Sequence, residues 1–437
     1  MTNTPGRSMK KLALLLLLSG ALFACSDDDG DNQLTDEPDD FDDLRPFNVN
    51  APYASVITDC VRAESASEYC NLDTLPLLGQ EVANPSVEDV MNRLVISHDW
   101  MADNFEEILY SLPEEILPLF KGLTAVVIDD DIRPAFYTTS TGAIYLDPAY
   151  LWLSVADKRT INTKEDYRAG FGNDLIFESW GFYTNGADYA YRYGSLTDDS
   201  TRTLENTTYL LARLIFHELA HANDFLPPST YGNLSASMTV NQASSALVSQ
   251  RPSNTLDSAF PLESPMLYGL ADVLYFGETA NDQQIALTAS EVGEEFGTEG
   301  AAHHYGYSNQ YEDAAMLFEI ALMKQLFGFD YDTPFVDVPD TENGCNSFIV
   351  GWGQFNRLGD PDVRERAEYI VNQLLPNLDT SEFFQNLAPA SPMTSGQGWC
   401  DNLVSKAGGQ QKASGQPQKP SELFDLEEIR RWQRHYH

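Results

Sequence analysis

The sequence predicts an α+β fold that is mainly helical and contains a small sheet. Two long segments, 204–225 (LENTTYLLARLIFHELAHANDF) and 310–327 (QYEDAAMLFEIALMKQLF), carry apolar residues at three- and four-residue steps, which predicts amphipathic helices. Residues 124–137 and 143–148 are rich in branched and aromatic side chains, which favour strands. The chain has 437 residues, of which 43% are hydrophobic, so it is long enough to bury a large core.

The same patterns outline the domain organisation. Residues 87–112 have apolar side chains at helical spacing and are predicted to form a helix. The folded domain is predicted to span residues 51–405, where the composition is that of a globular protein. Residues 406–437 are predicted to form a linker rich in Gly, Gln and Pro, followed by a short C-terminal helix.

Residues 1–24 have the pattern of a bacterial export signal. A short basic stretch precedes the apolar run LALLLLLSGALFA, which is too short for a permanent membrane span. The run ends in LFAC, which resembles the lipobox of bacterial lipoproteins and implies cleavage before Cys25 and lipid attachment to its sulfur. The alternative is an ordinary secretory signal with an incidental cysteine. Ser26 after the cysteine favours a lipid anchor in the outer membrane of the cell envelope.

A strongly acidic composition limits the possible partners. Residues 25–50 are acidic and poor in apolar side chains, which predicts a disordered tether between the lipid and the domain. The whole chain has a formal net charge of -40, from 66 acidic and 26 basic residues. Because such a surface repels phosphate backbones, nucleic acid is not an expected partner. The membrane is an expected partner, through the N-terminal lipid.

Four cysteines follow Cys25 in the chain, and export would place them in an oxidising compartment. An even number of cysteines there indicates two disulfides. Three pairings are possible, and the lower entropy cost of closing short loops favours two of the bonds. These bonds are Cys60 with Cys70 and Cys345 with Cys400.

The predicted helix at 204–225 contains the motif HELAH, residues 217–221. Helix positions four apart share a face, so His217 and His221 can present two imidazoles to one metal ion. Glu218 lies beside that pair, close enough to touch a metal-bound water without binding the ion. Zinc hydrolases need this division, because ligands hold the ion while a separate carboxylate accepts the proton. The alternative is a chance match, expected in roughly one such chain in a hundred.

A catalytic zinc ion usually has a third protein ligand. Glu312 opens the predicted helix at 310–327, and the small side chains of Ala314 and Ala315 let that helix pack close to the motif helix. Glu312 is therefore the first candidate. The further candidates, in order, are Glu319, and then Asp224 or one of the pair His303 and His304.

The segments HELAHAND and YGYSNQYEDAAMLF together resemble the anthrax lethal-factor-type branch of the gluzincin metallopeptidases, which includes Pro-Pro endopeptidases. That family has HExxH, then a tyrosine followed by glycine, and a glutamate ligand seven residues after the tyrosine. Tyr305, Gly306 and Glu312 match this spacing. Asp224, Asn309 and Ala315 match other positions of the family pattern.

This resemblance implies a zincin-like metallopeptidase domain with one zinc ion per chain, held by His217, His221 and Glu312. It implies that Glu218 is the general base and that Tyr305 stabilises the oxyanion. The expected activity is hydrolysis of a protein or peptide substrate in the cell envelope or outside it. The alternatives are a non-catalytic envelope lipoprotein on the same scaffold and a zinc amidase that acts on peptidoglycan.

Two features depart from the family pattern. The stretch between His221 and Glu312 is longer than the family leads us to expect, and it contains a polar insert from Pro227 to about Leu262. This insert is a candidate to cover the cleft or to build a substrate pocket. Met316 stands at the second acidic position of the glutamate helix, which is often occupied in the family.

Overall fold

The computed structural model describes residues 41–164 and 166–407. The export signal with Cys25, residues 25–40 of the predicted tether and residues 408–437 lie outside this part of the chain. No helix among the described residues combines the length and the apolar character that crossing a membrane requires.

The strands form two small sheets. In chain order they are β1 (Arg45–Pro46), β2 (Leu94–Ile96), β3 (Ala125–Ile128), β4 (Phe136–Thr138), β5 (Ala143–Leu146), β6 (Phe177–Ser179), β7 (Phe182–Asn185), β8 (Asp188–Tyr189), β9 (Asp330–Asp337), β10 (Ile349–Phe355) and β11 (Ser391–Pro392). The first sheet has the order β1-β2-β3-β5-β4, in which β2, β3 and β5 run parallel and the two outer strands run antiparallel. The second sheet is antiparallel, with the order β11-β10-β9-β7-β8, and β6 also pairs with β9.

Helices make up most of the regular structure, so the predicted α+β class with small sheets is confirmed. In chain order they are α1 (Ile57–Val61), α2 (Leu78–Glu81), α3 (Val87–Met91), α4 (Asp99–Ser111), α5 (Val155–Lys158), α6 (Leu204–Phe225), α7 (Val240–Ala246), α8 (Pro252–Ala259), α9 (Pro265–Phe276), α10 (Asp282–Ile285), α11 (Ala289–Phe296), α12 (Gln310–Phe327), α13 (Pro361–Leu374), α14 (Ser381–Asn386) and α15 (Trp399–Ala407). The polar insert that follows α6 is itself largely helical, because α7 and α8 lie within it.

The first sheet separates two apolar cores. On β3, Val126 and Ile128 belong to the large core that also contains the apolar faces of α6 and α12. Ala125 and Val127 belong to a smaller core on the opposite face, beside α1. This alternation is the two-residue period of a strand, and burial on both faces explains the continuous apolar run of the segment.

The predicted helix at 87–112 is wrong in its middle third. The segment forms α3, then the strand β2, then α4. Leu94, Val95 and Ile96 are fully buried, and β2 lies between β1 and β3 in the sheet. A three-residue apolar run suits a strand that is covered on both faces, and here it coincides with helical spacing.

Both ends of the folded part extend beyond their predicted limits. Residues 41–50, which the acidic composition predicts to be part of the tether, contain β1, and Arg45 of this strand lies opposite Ile96 in the sheet. Leu44 beside it is buried. At the other end α15 continues to Ala407, two residues past the predicted domain end. A two-residue edge strand is too short to leave a periodic pattern in an acidic segment.

The two long helices that carry the predicted site are confirmed. Their bounds are those expected from the sequence, and α12 ends at Gly328, whose φ of 78° is the left-handed conformation that favours glycine. The two helices pack directly against each other in the large core. This packing brings HELAH and the start of α12 together.

Both predicted disulfides are present. Cys60 bonds to Cys70, and Cys345 bonds to Cys400. The first bond closes a loop beside the smaller core, and the second ties α15 to the turn before β10.

Candidate metal centre

The motif side chains lie on a long buried helix. Thr203 caps the start of the helix α6, and its side chain accepts a hydrogen bond from the backbone N–H of Asn206. Its second half is buried on all sides, and His217, Glu218 and His221 are each no more than 2% exposed. Polar side chains at such depth require partners, because burying them without hydrogen bonds or ligands costs free energy.

Three of the predicted ligand side chains converge on one point. The Glu312 Oε2 atom lies 3.0 Å from Nε2 of His217 and 3.4 Å from Nε2 of His221. The candidate ligand atoms of these three residues all lie within 4.8 Å of one another. Atoms bound about 2.0–2.1 Å from a tetrahedral zinc ion are about 3.3 Å apart, so two imidazoles and a carboxylate with this spacing fit such an ion.

Local structure at the start of α12 fixes the position of Glu312. Asn309 caps the helix, and its side chain accepts hydrogen bonds from the backbone N–H groups of Tyr311 and Glu312, each at 2.9 Å. Gly306 packs against the same turn, where a Cβ atom would lie only 3.0 Å from Oδ1 of Asp313. The absence of a side chain at Gly306 therefore lets the preceding turn, which carries Tyr305, approach α12.

Glu319, the second candidate for the third ligand, contacts the other nitrogen of His217. Its Oε2 atom lies 3.1 Å from Nδ1 of that histidine. Its Oε1 atom accepts hydrogen bonds from Nε of Arg213 at 3.0 Å and from the hydroxyl of Tyr183 at 2.7 Å. Such carboxylates orient metal-binding histidines and fix their tautomer. The structure therefore places Glu319 behind the candidate ligand His217 and outside the cluster of His217, His221 and Glu312.

The charges of the cluster are strongly coupled. Burial disfavours protonation of His217, but hydrogen bonds with Glu312 and Glu319 outweigh it and raise the pKa of this histidine to about 10. Burial also disfavours ionisation of Glu312, yet the neighbouring histidines hold its pKa below the usual range. Two carboxylates thus face a site that must carry positive charge, supplied by protons or by a metal cation.

The remaining ligand candidates lie outside the cluster. Asp224 accepts hydrogen bonds from the backbone N–H and the hydroxyl of Ser253, at 2.7 and 2.6 Å, and so ties α6 to the start of α8. The Nδ1 atom of His303 accepts from the backbone N–H of Tyr305. Nε2 of His304 lies 3.1 Å from the backbone oxygen of Leu267. Both histidines support the local chain around Tyr305.

A cavity of about 270 Å³ opens beside the cluster. Glu218, His221 and Glu312 contribute to its wall, and burial raises the pKa of Glu218. Tyr305 also lines the cavity, with its ring centroid 6.3 Å from that of His217 and packed edge-on against Tyr275 at 4.9 Å between centroids. The other lining residues are Pro134, Ala135, Phe136, Tyr137, Thr138, Tyr167, Arg168, Tyr275 and Phe276.

Three residues of the site do not appear among the sequence candidates. Arg213 lies four residues before His217 on an apolar helix, so its position on the motif face is readable from the sequence. Tyr183 belongs to the tyrosine-rich stretch 181–194, where spacing alone gives no reason to select it. Arg168 reaches the cavity from an irregular segment, and no sequence pattern indicates it.

Comparison of the chain with protein families, with curated proteins and with solved structures finds no match. The function proposed below therefore rests on the residues and the geometry of the site.

Proposed function

We propose that this protein is a zinc-dependent peptidase with a zincin-like catalytic domain. The observation that carries the proposal is the convergence of His217, His221 and Glu312 at the wall of a cavity that Glu218 and Tyr305 also line. A buried ion-pair network would explain the three contacts alone. It would not explain why an unligated glutamate and a tyrosine share the same cavity.

The roles of the side chains follow from their chemistry. When bound, zinc acts as a Lewis acid that promotes deprotonation of water and draws charge from a carbonyl oxygen. Glu218 takes the proton of the attacking water on its carboxylate and passes it to the leaving amine. The Tyr305 hydroxyl donates a hydrogen bond to the carbonyl oxygen as negative charge develops on it. Glu319 holds His217 in one orientation and tautomer.

A peptide is the substrate class that the cavity wall favours. Among the described residues, β4 is the last strand of the first sheet and pairs only with β5. Residues of this strand, Phe136 to Thr138, line the cavity. An edge strand offers backbone N–H and C=O groups that can pair with an extended peptide, and such pairing binds chains with little dependence on sequence.

The proposed place of action is the bacterial cell envelope, with the chain anchored by lipid at Cys25. The lipobox-like LFAC motif carries this part of the proposal. The disulfides Cys60–Cys70 and Cys345–Cys400 support it, because such bonds persist in oxidising compartments outside the cytosol.

Metal analysis and kinetics on two variants test the activity. The purified protein is expected to hold about one zinc ion per chain, and His217→Ala is expected to release it. Glu218→Gln is expected to keep zinc and to lose turnover of a peptide library by roughly 10²–10⁴-fold, as for a positioned proton-transfer group. Glu205→Gln, at an exposed position on the same helix, is the matched control.

Two outcomes would contradict this assignment. Full zinc content in His217→Ala would place the ion elsewhere. Near-normal turnover in Glu218→Gln, measured by mass spectrometry of the peptide products, would require a different base.

A further inference from the structure

Arg168 is the one arginine or lysine among the described residues that line the cavity beside the metal centre. Its side chain is only 5% exposed, and it lies in the irregular segment between α5 and β6. Two carboxylates, those of Glu218 and Glu312, line the same cavity. A buried guanidinium on this wall therefore stands out in a chain whose formal net charge is -40.

One carboxylate holds most of the guanidinium in place. Nε of Arg168 donates to Oδ1 of Asp166 at 2.8 Å, and Nη2 donates to Oδ2 of the same residue. The backbone N–H of Arg168 also donates to Oδ1 of Asp166, at 2.9 Å. This pairing fixes the plane of the guanidinium before any ligand binds, which reduces the entropy cost of binding.

The third nitrogen of Arg168 is free to bind a ligand. Within residues 41–164 and 166–407, Nη1 donates no hydrogen bond. This atom is not sealed from solvent. The side chain is buried but lines the cavity, and its Cζ lies 5.5 Å from the centroid of the Tyr167 ring, which lines the same cavity. A donor in this position gains most from an anionic acceptor, since charge-assisted hydrogen bonds are the strong ones.

The position of Arg168 links it to the proposed reaction centre. Burial lowers the pKa of Arg168, but the hydrogen bond and the charge of Asp166 raise it by more. Tyr167 and Tyr305 act in the same direction as Asp166, so the pKa lies above its usual value. Tyr305 lines the same cavity as Arg168. A group bound to Arg168 would therefore share this cavity with the bond that the proposed peptidase cleaves.

We propose that Arg168 determines substrate specificity by binding a carboxylate of the peptide next to the cleaved bond. This inference rests on the proposed peptidase function and names the substrate class. Two sources supply the same chemistry, either the side chain of an aspartate or glutamate or the C-terminal carboxylate of the peptide. The first would make the protein an endopeptidase selective for acidic sequences, and the second a carboxypeptidase.

Matched peptide pairs test the proposal on the zinc-loaded protein. Peptides that the wild type cleaves in an unbiased library are resynthesised with Glu or Gln at each position near the cleaved bond, and with a C-terminal acid or amide. In one of these two series the wild type is expected to prefer the acid member by about 10-fold or more in kcat/KM, as for a charge-assisted hydrogen bond. The series that shows the preference identifies the source of the carboxylate.

Variants separate recognition from structural support. Arg168→Gln is expected to bring the acid-to-amide ratio close to one, and Arg168→Lys to give an intermediate ratio, because it keeps the charge but loses the planar fork. Arg159→Gln, at an exposed arginine that pairs with Asp199, is the matched control and should keep the wild-type ratio. Zinc content and thermal melting report whether each variant is folded.

The outcomes distinguish this inference from the proposed function. If the wild type cleaves peptides with equal kcat/KM for acid and amide members, the specificity role is overturned and the peptidase stands. Equal losses on both members in Arg168→Gln and Arg168→Lys, with an unchanged ratio, would assign Arg168 a structural role only. If the wild type cleaves no peptide in the library, the peptidase proposal fails and this inference fails with it.

Discussion

The Nδ1 atom of His217 lies 3.1 Å from Oε2 of Glu319, which itself is held by Arg213 and Tyr183. The two residues come from the helices α6 and α12, and both are buried. The opposite nitrogen of the same imidazole faces Glu312. The histidine is therefore oriented from behind by one carboxylate while its other nitrogen faces the candidate ion site.

Glu319→Gln is expected to weaken zinc binding about 10–100-fold while leaving the fold intact, because the amide keeps the shape but loses the charge that orients His217. Nδ1 of His221 has no hydrogen-bond acceptor among the described residues. Of the two histidines, His217 is therefore the one that a carboxylate, Glu319, orients from behind. Competition with a chelator of known affinity measures the effect. Glu382→Gln, at an exposed position on α14, is the control, and an affinity unchanged in Glu319→Gln would refute the orienting role.

Tyr305→Phe is expected to lower kcat on the order of 10²-fold and to change KM little, because it removes one hydrogen bond made mainly in the transition state. The ring keeps its packing against Tyr275, so zinc content should not change. Steady-state kinetics on a cleaved peptide measures both constants. Tyr275→Phe removes a hydroxyl that contacts His304 and should cost much less. An unchanged kcat in Tyr305→Phe would remove Tyr305 from the reaction.

Asp129→Asn is expected to stabilise the protein above neutral pH. Burial, with a smaller contribution from the charge of Asp130, raises the pKa of Asp129 to about 7. A raised pKa means that folding favours the protonated form, so stability is lost as the pH rises from about 4 through 7. The asparagine keeps an acceptor for the backbone N–H of Asp130 and does not ionise.

Urea unfolding of both proteins between pH 4 and 8.5 measures this difference. The free energy of unfolding of Asp129→Asn relative to the wild type should rise across this range by at most about 4 kcal/mol and level off above pH 7. Asp103→Asn, at an exposed position on α4, is the control. A difference that stays constant with pH would contradict the prediction.

Cys25→Ser is expected to leave the protein without lipid and to move it from the membrane fraction to the soluble fraction. Lipid chains anchor a protein through buried methylene groups, and the serine hydroxyl does not replace the thiol as the attachment site. Fractionation of cells that express the full chain, with mass spectrometry of the N-terminal peptide, provides the measurement. A variant that still carries lipid and sediments with membranes would show that the lipobox interpretation is wrong.

Much of the fold could be predicted because its signals are local. The helices at 204–225 and 310–327 have apolar spacing over five or more turns, and their observed bounds agree with the prediction. The prediction of one helix at 87–112 was wrong because a three-residue strand leaves no period of its own between two helical stretches. The predicted boundary between the tether and the domain lies too late in the chain for the same reason, since β1 has only two residues.

The sequence by itself determined the candidate metal ligands and the helix that carries two of them. HELAH places His217 and His221 on one helix face because the period of the helix is 3.6 residues, whatever surrounds it. It also allowed Glu312, Glu319, Asp224, His303 and His304 as partners, because spacing along the chain does not measure distance between helices.

Only the tertiary structure separated these partners. Packing of α12 against α6 turns Glu312 towards Nε2 of His217, and it turns Glu319, two helical turns further along, towards Nδ1. Arg168 reaches the same cavity from an irregular segment whose path no periodic pattern encodes. The physical reason is that a site made by contacts between distant segments depends on how the core packs, and the sequence pattern of each segment records only its own buried face.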